Sequence, residues 1–387
     1  HITADQPLSV YVLNAKLTTS DGYLALPVNA LGTEYIHNSY YDFNEVYPWA
    51  TGFVIVAAND FTRVRIELRG KGKGFAKTWG GRDIGDVIQI DNMMAGQTYY
   101  VRGDAKTAGM WDISGSRITS NKPIGLISTH QRARIPTFDL WNGRDHLSEM
   151  MPPVTAWGKK YYTVSFVRES GMGDYFRIIA AEDKTTWSVK WYDKVSKELI
   201  GQTGGQLNAG GFAEYLNITA LPGQPHEPSI VGTSIWEANK PVLVMQYAYS
   251  CDWDGDAVFD PLMVLVVPVE QYIPKTVFQT PANTEFQNNY FNIIAIGDTT
   301  DPSRELLKSV KFDDQPIYVK DPKFLYNQIP GTDLFWSQMM VVPGAHRVEG
   351  DTKFGGYIYG FSNADSYGWP AAMAINKIDE TDTVPPT

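Results

Sequence analysis

Apolar residues recur at every second position in short runs along this chain. Arg63-Val64-Arg65-Ile66-Glu67-Leu68 alternates strictly, as does Trp187-Ser188-Val189-Lys190-Trp191, so each predicts a half-buried strand. Phe53-Val54-Ile55-Val56-Ala57-Ala58 and Phe176-Arg177-Ile178-Ile179-Ala180-Ala181 are more continuously apolar and predict core strands. Asn59-Asp60-Phe61-Thr62 and Glu182-Asp183-Lys184-Thr185 separate the two kinds of run and read as tight turns, so each pair predicts a β-hairpin. No segment sustains a period of 3.6 long enough for an extended amphipathic helix. The predicted fold class is all-β.

The pattern is written three times. Asp5-Gln6-Pro7-Leu8-Ser9-Val10 returns as Asn121-Lys122-Pro123-Ile124-Gly125-Leu126 and as Asn239-Lys240-Pro241-Val242-Leu243-Val244. A Phe-x-Ile core strand follows each copy at Phe53, Phe176 and Phe291, and a Pro-Val segment recurs at Pro27, Pro153 and Pro268. Phrases repeating in one order at intervals of roughly 115–125 residues indicate duplication of a small β module, not a solenoid unit. The expected architecture is three related, β-sandwich-like modules packed together, at 1–121, 122–238 and 239–378. Each is expected to open on its Pro, at the first position of a strand. Residues 379–387 read as a linker to a further module, and His1-Ile2-Thr3-Ala4 as a processed terminus. In the third copy, the insertion Asp298–Leu307 is expected to hold one helical turn.

Charge and cysteine content narrow the function classes. A net charge of −10 argues against a nucleic-acid partner, which needs a basic face. Cys251 is the single cysteine, so no intrachain disulfide framework exists. No apolar stretch reaches the roughly 20 residues of a membrane-spanning helix. Aromatic residues make up 13% of the chain, among them 11 Trp; most are expected in cores, with some of Trp49, Trp79, Trp111, Trp141, Trp253, Trp336 and Trp369 left as contact platforms.

Several phrases resemble a known family. Asp145-His146-Leu147-Ser148-Glu149-Met150-Met151-Pro152-Pro153 is similar to its Asp-His-Leu-x-Glu-x-x-Pro-Pro signature. Asp260-Pro261-Leu262-Met263, followed by Pro268-Val269-Glu270-Gln271, is similar to a second signature. With the Asn-Lys-Pro strands, these resemble the N-terminal domain of the IgG Fc-binding protein family, from about Pro7 to Phe361. The resemblance implies a secreted or cell-surface protein, and the near absence of cysteine points to the bacterial branch. Location and architecture are carried over from it, and antibody binding is not. Asp145 and Asp260 each stand eight positions before the second residue of a Pro-Pro or Val-Pro pair (Pro153 and Pro268), so the two signatures are one loop in successive modules. A retained Asp in a loop is most simply a device that accepts backbone N–H bonds.

The candidate sites are few. Asp252, Asp254, Asp256 and Asp260 alternate around Gly255 with the spacing of oxygen ligands in a Ca²⁺ loop; the same residues also read as an acidic, solvated loop. His146, Asp145 and Glu149 suggest a metal or acid–base group, against a loop tied by Arg–Asp pairs. Gly70-Lys71-Gly72-Lys73-Gly74 lacks the ending of a phosphate loop and reads as a flexible basic hairpin tip. Asn217-Ile218-Thr219 is a glycosylation sequon. No nucleophile elbow is present. The function predicted is a non-catalytic extracellular or cell-surface module. It presents the loops Arg69–Asp86, Arg132–Glu149 and Asp252–Asp260 to a glycan, mucin, matrix, protein or further copy of itself. The competing class is a carbohydrate-active enzyme or its accessory domain, which requires two carboxylates facing each other across an aromatic groove.

Overall fold

The computed structural model describes residues 2–6, 8–107, 109–136, 143–168, 173–214, 229–251, 258–282 and 285–374. Strands β1 (Val10–Lys16) and β2 (Thr19–Ala25) form an N-terminal hairpin. Next come β3 (Gly32–Ile36), the ribbon β4 (Phe43–Asn44) and β5 (Pro48–Trp49), then β6 (Thr51–Ala57), β7 (Thr62–Glu67), β8 (Val87–Met93) and β9 (Thr98–Arg102). The long strand β10 (Arg117–Ala133) completes the first sheet, in the order β8-β7-β10-β6-β9, with β3 and β11 (Asp145–Met150) also paired to β10.

The second sheet repeats this topology with β12 (Gly158–Val164), β13 (Tyr175–Ala180), β14 (Thr185–Tyr192), β15 (Leu199–Leu207), β16 (Phe212–Glu214), β17 (Thr233–Tyr247) and β18 (Met263–Leu265), in the order β15-β14-β17-β13-β16. The third has β19 (Ile273–Gln279), β20 (Asn288–Ile296), β21 (Lys311–Phe312), β22 (Gln315–Pro316), β23 (Leu334–Val341), β24 (Ala345–Ser362) and β25 (Asp365–Ala372), in the order β22-β21-β24-β20-β23. Every pairing within the three sheets is antiparallel, and the all-β expectation is met. The insertion in the third sheet carries one helical turn, Glu305–Lys308.

The recurring phrases occupy equivalent places. Phe53, Phe176 and Phe291 sit opposite Ser128, Gln246 and Ile358 on the three long strands. All three phenylalanines are fully buried or nearly so, which is why the phrase needs Phe. Each Pro-Val segment makes a short 3-10 turn closed by a bond back to the Pro carbonyl, as Ala156 N–H to Pro153 at 2.8 Å and Gln271 N–H to Pro268 at 2.9 Å. Gly158 stands so close to Pro268 that a Cβ there would lie 2.4 Å from the proline Cβ, and Gly32 meets Pro153 in the same way at 2.5 Å. Successive copies are thereby locked at the same step.

One expectation is corrected. Pro123 and Pro241 do not begin strands; they lie in the middle of β10 and β17. In β10 the ladder to β7 runs through Ser120 and the ladder to β6 resumes at Ile124, so the intervening Pro123 loses no bond to either strand. The residues before it staple the neighbouring hairpin. Asn121 Oδ1 accepts from Arg63 N–H at 2.7 Å and Lys122 Nζ donates to the Asp60 carbonyl at 2.8 Å. Asn239 and Lys240 do the same for Thr186 and Asp183, at 2.9 and 2.7 Å. The Asn-Lys-Pro phrase is therefore a turn clamp.

The sheets share their cores. Tyr175, Leu243, Met245 and Tyr247 of the second sheet join the first sheet's core, while Tyr162 and Val164 pack with Ile294 and Trp336 of the third. The N-terminal hairpin closes the assembly at the far end, with the Tyr11 ring 5.3 Å from that of Trp369 on β25.

Candidate functional site

An exposed aromatic surface lies on the first sheet, where the loop 69–86 folds back over β8 and β9. Two backbone approaches fix the start of this loop. Gly70 and Gly72 have φ of +137° and +86°, and a Cβ on them would fall 1.8 Å from the Asp112 carbonyl oxygen and 1.6 Å from that of Met110. Lys71 exchanges both backbone bonds with Asp112, at 2.8 and 3.0 Å, and its Nζ reaches Glu214 on β16 at 2.7 Å. The glycine-lysine run is thus a clamp to the second sheet, which corrects its reading as a free hairpin tip.

Downstream, Thr78 N–H donates to the Arg82 carbonyl at 2.8 Å and Arg82 N–H to Thr78 Oγ1 at 2.9 Å, a tight turn that projects Trp79. Trp79 N–H is bonded to the Arg102 carbonyl at 2.9 Å, and the Arg102 guanidinium lies 4.3 Å from the centre of the indole ring. Trp79 is nonetheless 71% exposed, and Tyr100, on the same strand as Arg102, is 45% exposed. Burial of part of the Tyr100 ring raises its phenol pKa, and Arg102 works in the opposite direction. An open groove of 590 Å³ runs beside these residues, lined also by Arg82, Ile88, Gln89 and Thr98. Among the described residues its lining holds two arginines and no carboxylate, on a chain of net charge −10. Flat aromatic and guanidinium faces flanked by hydroxyl and amide groups can stack on a ring and hold an anion.

The other tryptophans divide as expected of core residues. Trp111, Trp336 and Trp369 are buried, Trp49 is half-buried, and Trp141 and Trp253 lie outside the described residues.

The signature acids go inward. Asp145, Asp260, Asp365 and Asp21 meet where β2, β11, β25 and the segment before β18 converge. Asp21 accepts from Ser148 N–H at 2.9 Å, Asp145 from Ser366 N–H at 3.1 Å, and Asp365 from Ser20 Oγ at 3.0 Å. Glu149 accepts from Leu265 N–H at 3.0 Å. Burial raises all five acids, and repulsion from a neighbouring carboxylate adds to it at Asp145, Glu149, Asp260 and Asp365: Asp260 to about 8, Asp365 to about 6, and the others well above the usual range. Among the predicted Ca²⁺ ligands only Asp260 is described. It is 1% exposed, and its Oδ1 has no hydrogen-bond partner among the described residues; Asp252, Asp254 and Asp256 lie outside them, as does Asn217 of the sequon.

The proposed His146 group does not assemble. Its side chain is bonded to Asn14 at 3.2 Å, while Asp145 and Glu149 are engaged with other strands. Among the described residues no three His, Cys, Asp or Glu side chains are grouped to hold a metal ion. The described residues of the loops 132–149 and 252–260 lie mostly buried at the junction between sheets, whereas loop 69–86 carries the exposed Trp79.

Sequence reasoning missed a second polar centre. Arg177, the variable residue of the Phe-x-Ile phrase, is fully buried between sheets. It donates to Asp112 Oδ2 at 2.7 Å, Glu214 Oε2 at 3.0 Å and the Ser39 carbonyl at 2.8 Å. Burial opposes its charge, but Asp112, Tyr175 and Glu214 hold it ionised; burial likewise opposes ionisation of Glu214, yet Arg177 and Lys71 bring that carboxyl down to about 2. The available signal was an Arg in an otherwise apolar core strand.

The described residues thus form an antiparallel scaffold of three related sheets with buried polar junctions and an open aromatic–arginine groove. The chain belongs to the IgGFc-binding protein family: the family's sequence model, described as IgGFc binding protein, matches residues 21–360. It is 24% identical over 375 residues to the human IgGFc-binding protein, an alignment that covers 95% of this chain and 6% of that protein. The chain thus spans a small fraction of the relative's length. Among the described residues no helix is long and apolar enough to cross a membrane.

Proposed function

We propose that this chain is a non-catalytic, secreted or cell-surface binding module. Its groove between loop 69–86 and β8–β9 takes an acidic glycan, with Trp79 stacking on a sugar ring and Arg82 and Arg102 facing its carboxylate or sulfate groups. The observation that carries this is Trp79, 71% exposed yet fixed against the Arg102 guanidinium. A large apolar ring held rigidly in water is a binding platform prepared in advance. The absence of carboxylates from the groove lining supports binding over glycoside hydrolysis, which needs two. The secreted location and the bacterial branch rest on family membership and the single cysteine.

The test is a glycan panel carrying sialylated, sulfated and neutral chains, read by calorimetry with wild type and Trp79→Ala. Binding restricted to the acidic chains and weakened at least about fivefold by the substitution supports the groove, since a stacked ring is worth about 1 kcal/mol or more. Equal binding by both proteins, or none by either, removes it. The human relative's name makes IgG Fc the first protein partner to include in the same panel. A Ca²⁺ loop at Asp252, Asp254, Asp256 and Asp260 is proposed with it, on the unpartnered Asp260 Oδ1. Calorimetric heat with Ca²⁺ that is lost in Asp254→Asn supports the loop; no heat, and a Tm indifferent to EDTA, dismisses it.

A further inference from the structure

The three sheets end on topologically equivalent edge strands, β8, β15 and β22, and the three edges are finished differently. Strand β22 is two residues long and carries Pro316, which offers no N–H. Strand β8 carries the exposed Asp91, and its register with β7 shifts between Thr62 and Val64. Short length, proline, charge and bulges are the ordinary means by which an edge avoids pairing with another chain. Strand β15, Leu199-Ile200-Gly201-Gln202-Thr203-Gly204-Gly205-Gln206-Leu207, is nine residues long, with no charge and no proline. Its one irregularity is at the start, where Tyr192 pairs with Leu199 and Trp191 with Gly201, leaving Ile200 as the extra residue. From Gly201 to Leu207 the ladder is regular and, among the described residues, no strand pairs with the outer side, with Leu199 and Ile200 51% and 49% exposed beside it.

The glycines of this edge have a packing role. Gly201 and Gly205 lie opposite Trp191 and Trp187, and a Cβ on Gly201 would fall 2.3 Å from the Trp191 ring. The indoles extend over the glycines, a recognised way of stabilising glycine in a strand. The result is a firm, flat, uncharged edge.

We infer that β15 is a self-association edge: two copies of this chain pair antiparallel through Gly201–Leu207 about a twofold axis at Gly204, joining their second sheets. The strand is complementary to itself in this register. Gln202 faces the partner's Gln206, so the amides can bond across the seam, and no like charges meet. Leu207 faces the partner's Gly201, over which the Trp191 ring presents an apolar surface. The axial Gly204 lets the two backbones approach without a side-chain clash. An uncharged strand offers no electrostatic selection for a charged partner segment, whereas its own sequence satisfies both the polar and the apolar face. This surface is separate from the groove at Trp79.

The test uses the 387-residue chain in sedimentation velocity across a concentration series. Wild type is expected to move from 43.3 kDa toward twice that mass as concentration rises. Gln202 and Gln206 are exposed, so replacing them leaves the core untouched. The double variant Q202K/Q206K places Lys opposite Lys in both cross-strand pairs and is expected to stay monomeric with a Tm close to wild type. The variant Q202E/Q206K places Glu opposite Lys in both pairs and is expected to recover the dimer, in a salt-sensitive form. A wild type that is monomeric throughout, a dimer that survives Q202K/Q206K, or failure of Q202E/Q206K to recover it would each overturn the inference.

Discussion

Arg177 on β13 and Asp112 in the loop before β10 form an ion pair at 2.7 Å with both side chains fully buried, and it joins the second sheet to the first. Removing one partner leaves a charge in the interior without compensation. Asp112→Asn is therefore expected to lower unfolding free energy by about 3–5 kcal/mol. Glu214→Gln should cost less, because Glu214 is 12% exposed and Lys71 also engages it. Urea denaturation of the two variants measures the difference; equal losses would mean that the three charges act as one unit.

Stability should fall as pH rises toward 8, because the buried acids hold their protons better in the folded chain than in the unfolded one. Asp260, raised to about 8, binds a proton in the folded chain over a range where the unfolded chain does not, so its contribution is full below pH 4 and is lost as pH rises through 8. His37 and His130 are lowered to about 3, chiefly by burial, so their contribution is full above pH 6.5 and is lost as pH falls toward 3. Going down from pH 8 to 6.5, Asp260 and the other raised acids act together and Tm should rise. Below pH 6.5 the two histidines oppose this gain, at up to about 2.7 kcal/mol per pH unit, so the rise in Tm should become shallower. Asp260→Asn should make Tm less dependent on pH between 4 and 8 and leave the histidine contribution in place, as thermal melts across pH will show.

Two glycines in one loop should behave differently. Gly72→Ala meets the Met110 carbonyl at 1.6 Å and is expected to cost about 3 kcal/mol. Gly74, with φ of +81° and open space around it, should cost only about 1 kcal/mol as Ala. Hydrogen exchange at Asp112 N–H, which is bonded to Lys71, should speed up in the first variant and not in the second.

Trp79→Ala removes an exposed ring and should change stability by no more than about 0.5 kcal/mol. Arg102→Lys keeps the charge and loses the flat cation beneath the indole. It should weaken acidic-glycan binding while leaving Tm close to wild type, and calorimetry alongside a thermal melt separates the two effects.

Much of the frame was legible in the chain itself. Period-2 alternation in Arg63–Leu68 and the repeated Phe-x-Ile phrase specify strands, because side chains on a pleated strand point alternately to core and solvent. The Pro-Val segments and the Asn-Lys-Pro phrase recur because each copy closes the same turn with the same local bonds. The threefold topology follows from that local grammar. The middle residue of Phe-x-Ile could not be read this way. It is Val54, Arg177 and Asn292 in the three copies. Arg177 reaches Asp112 and Asn292 reaches the Val164 carbonyl at 3.3 Å, partners far away in sequence in the preceding part of the chain. The signature acids are similar: their spacing marked one loop, but Asp145, Asp260 and Asp365 meet only when the last strand returns beside the first hairpin. Residues 69–86 carried no periodic signal, and the groove at Trp79 exists because that loop is pinned to 110–112 and to β9. Local hydrogen bonding and alternation are properties of neighbours along the chain, so the sequence by itself determined the strands, the turns and the repeat. Burial of charge, pairing of distant carboxylates and exposure of one indole depend on which surfaces close on each other, and only the tertiary structure decided those.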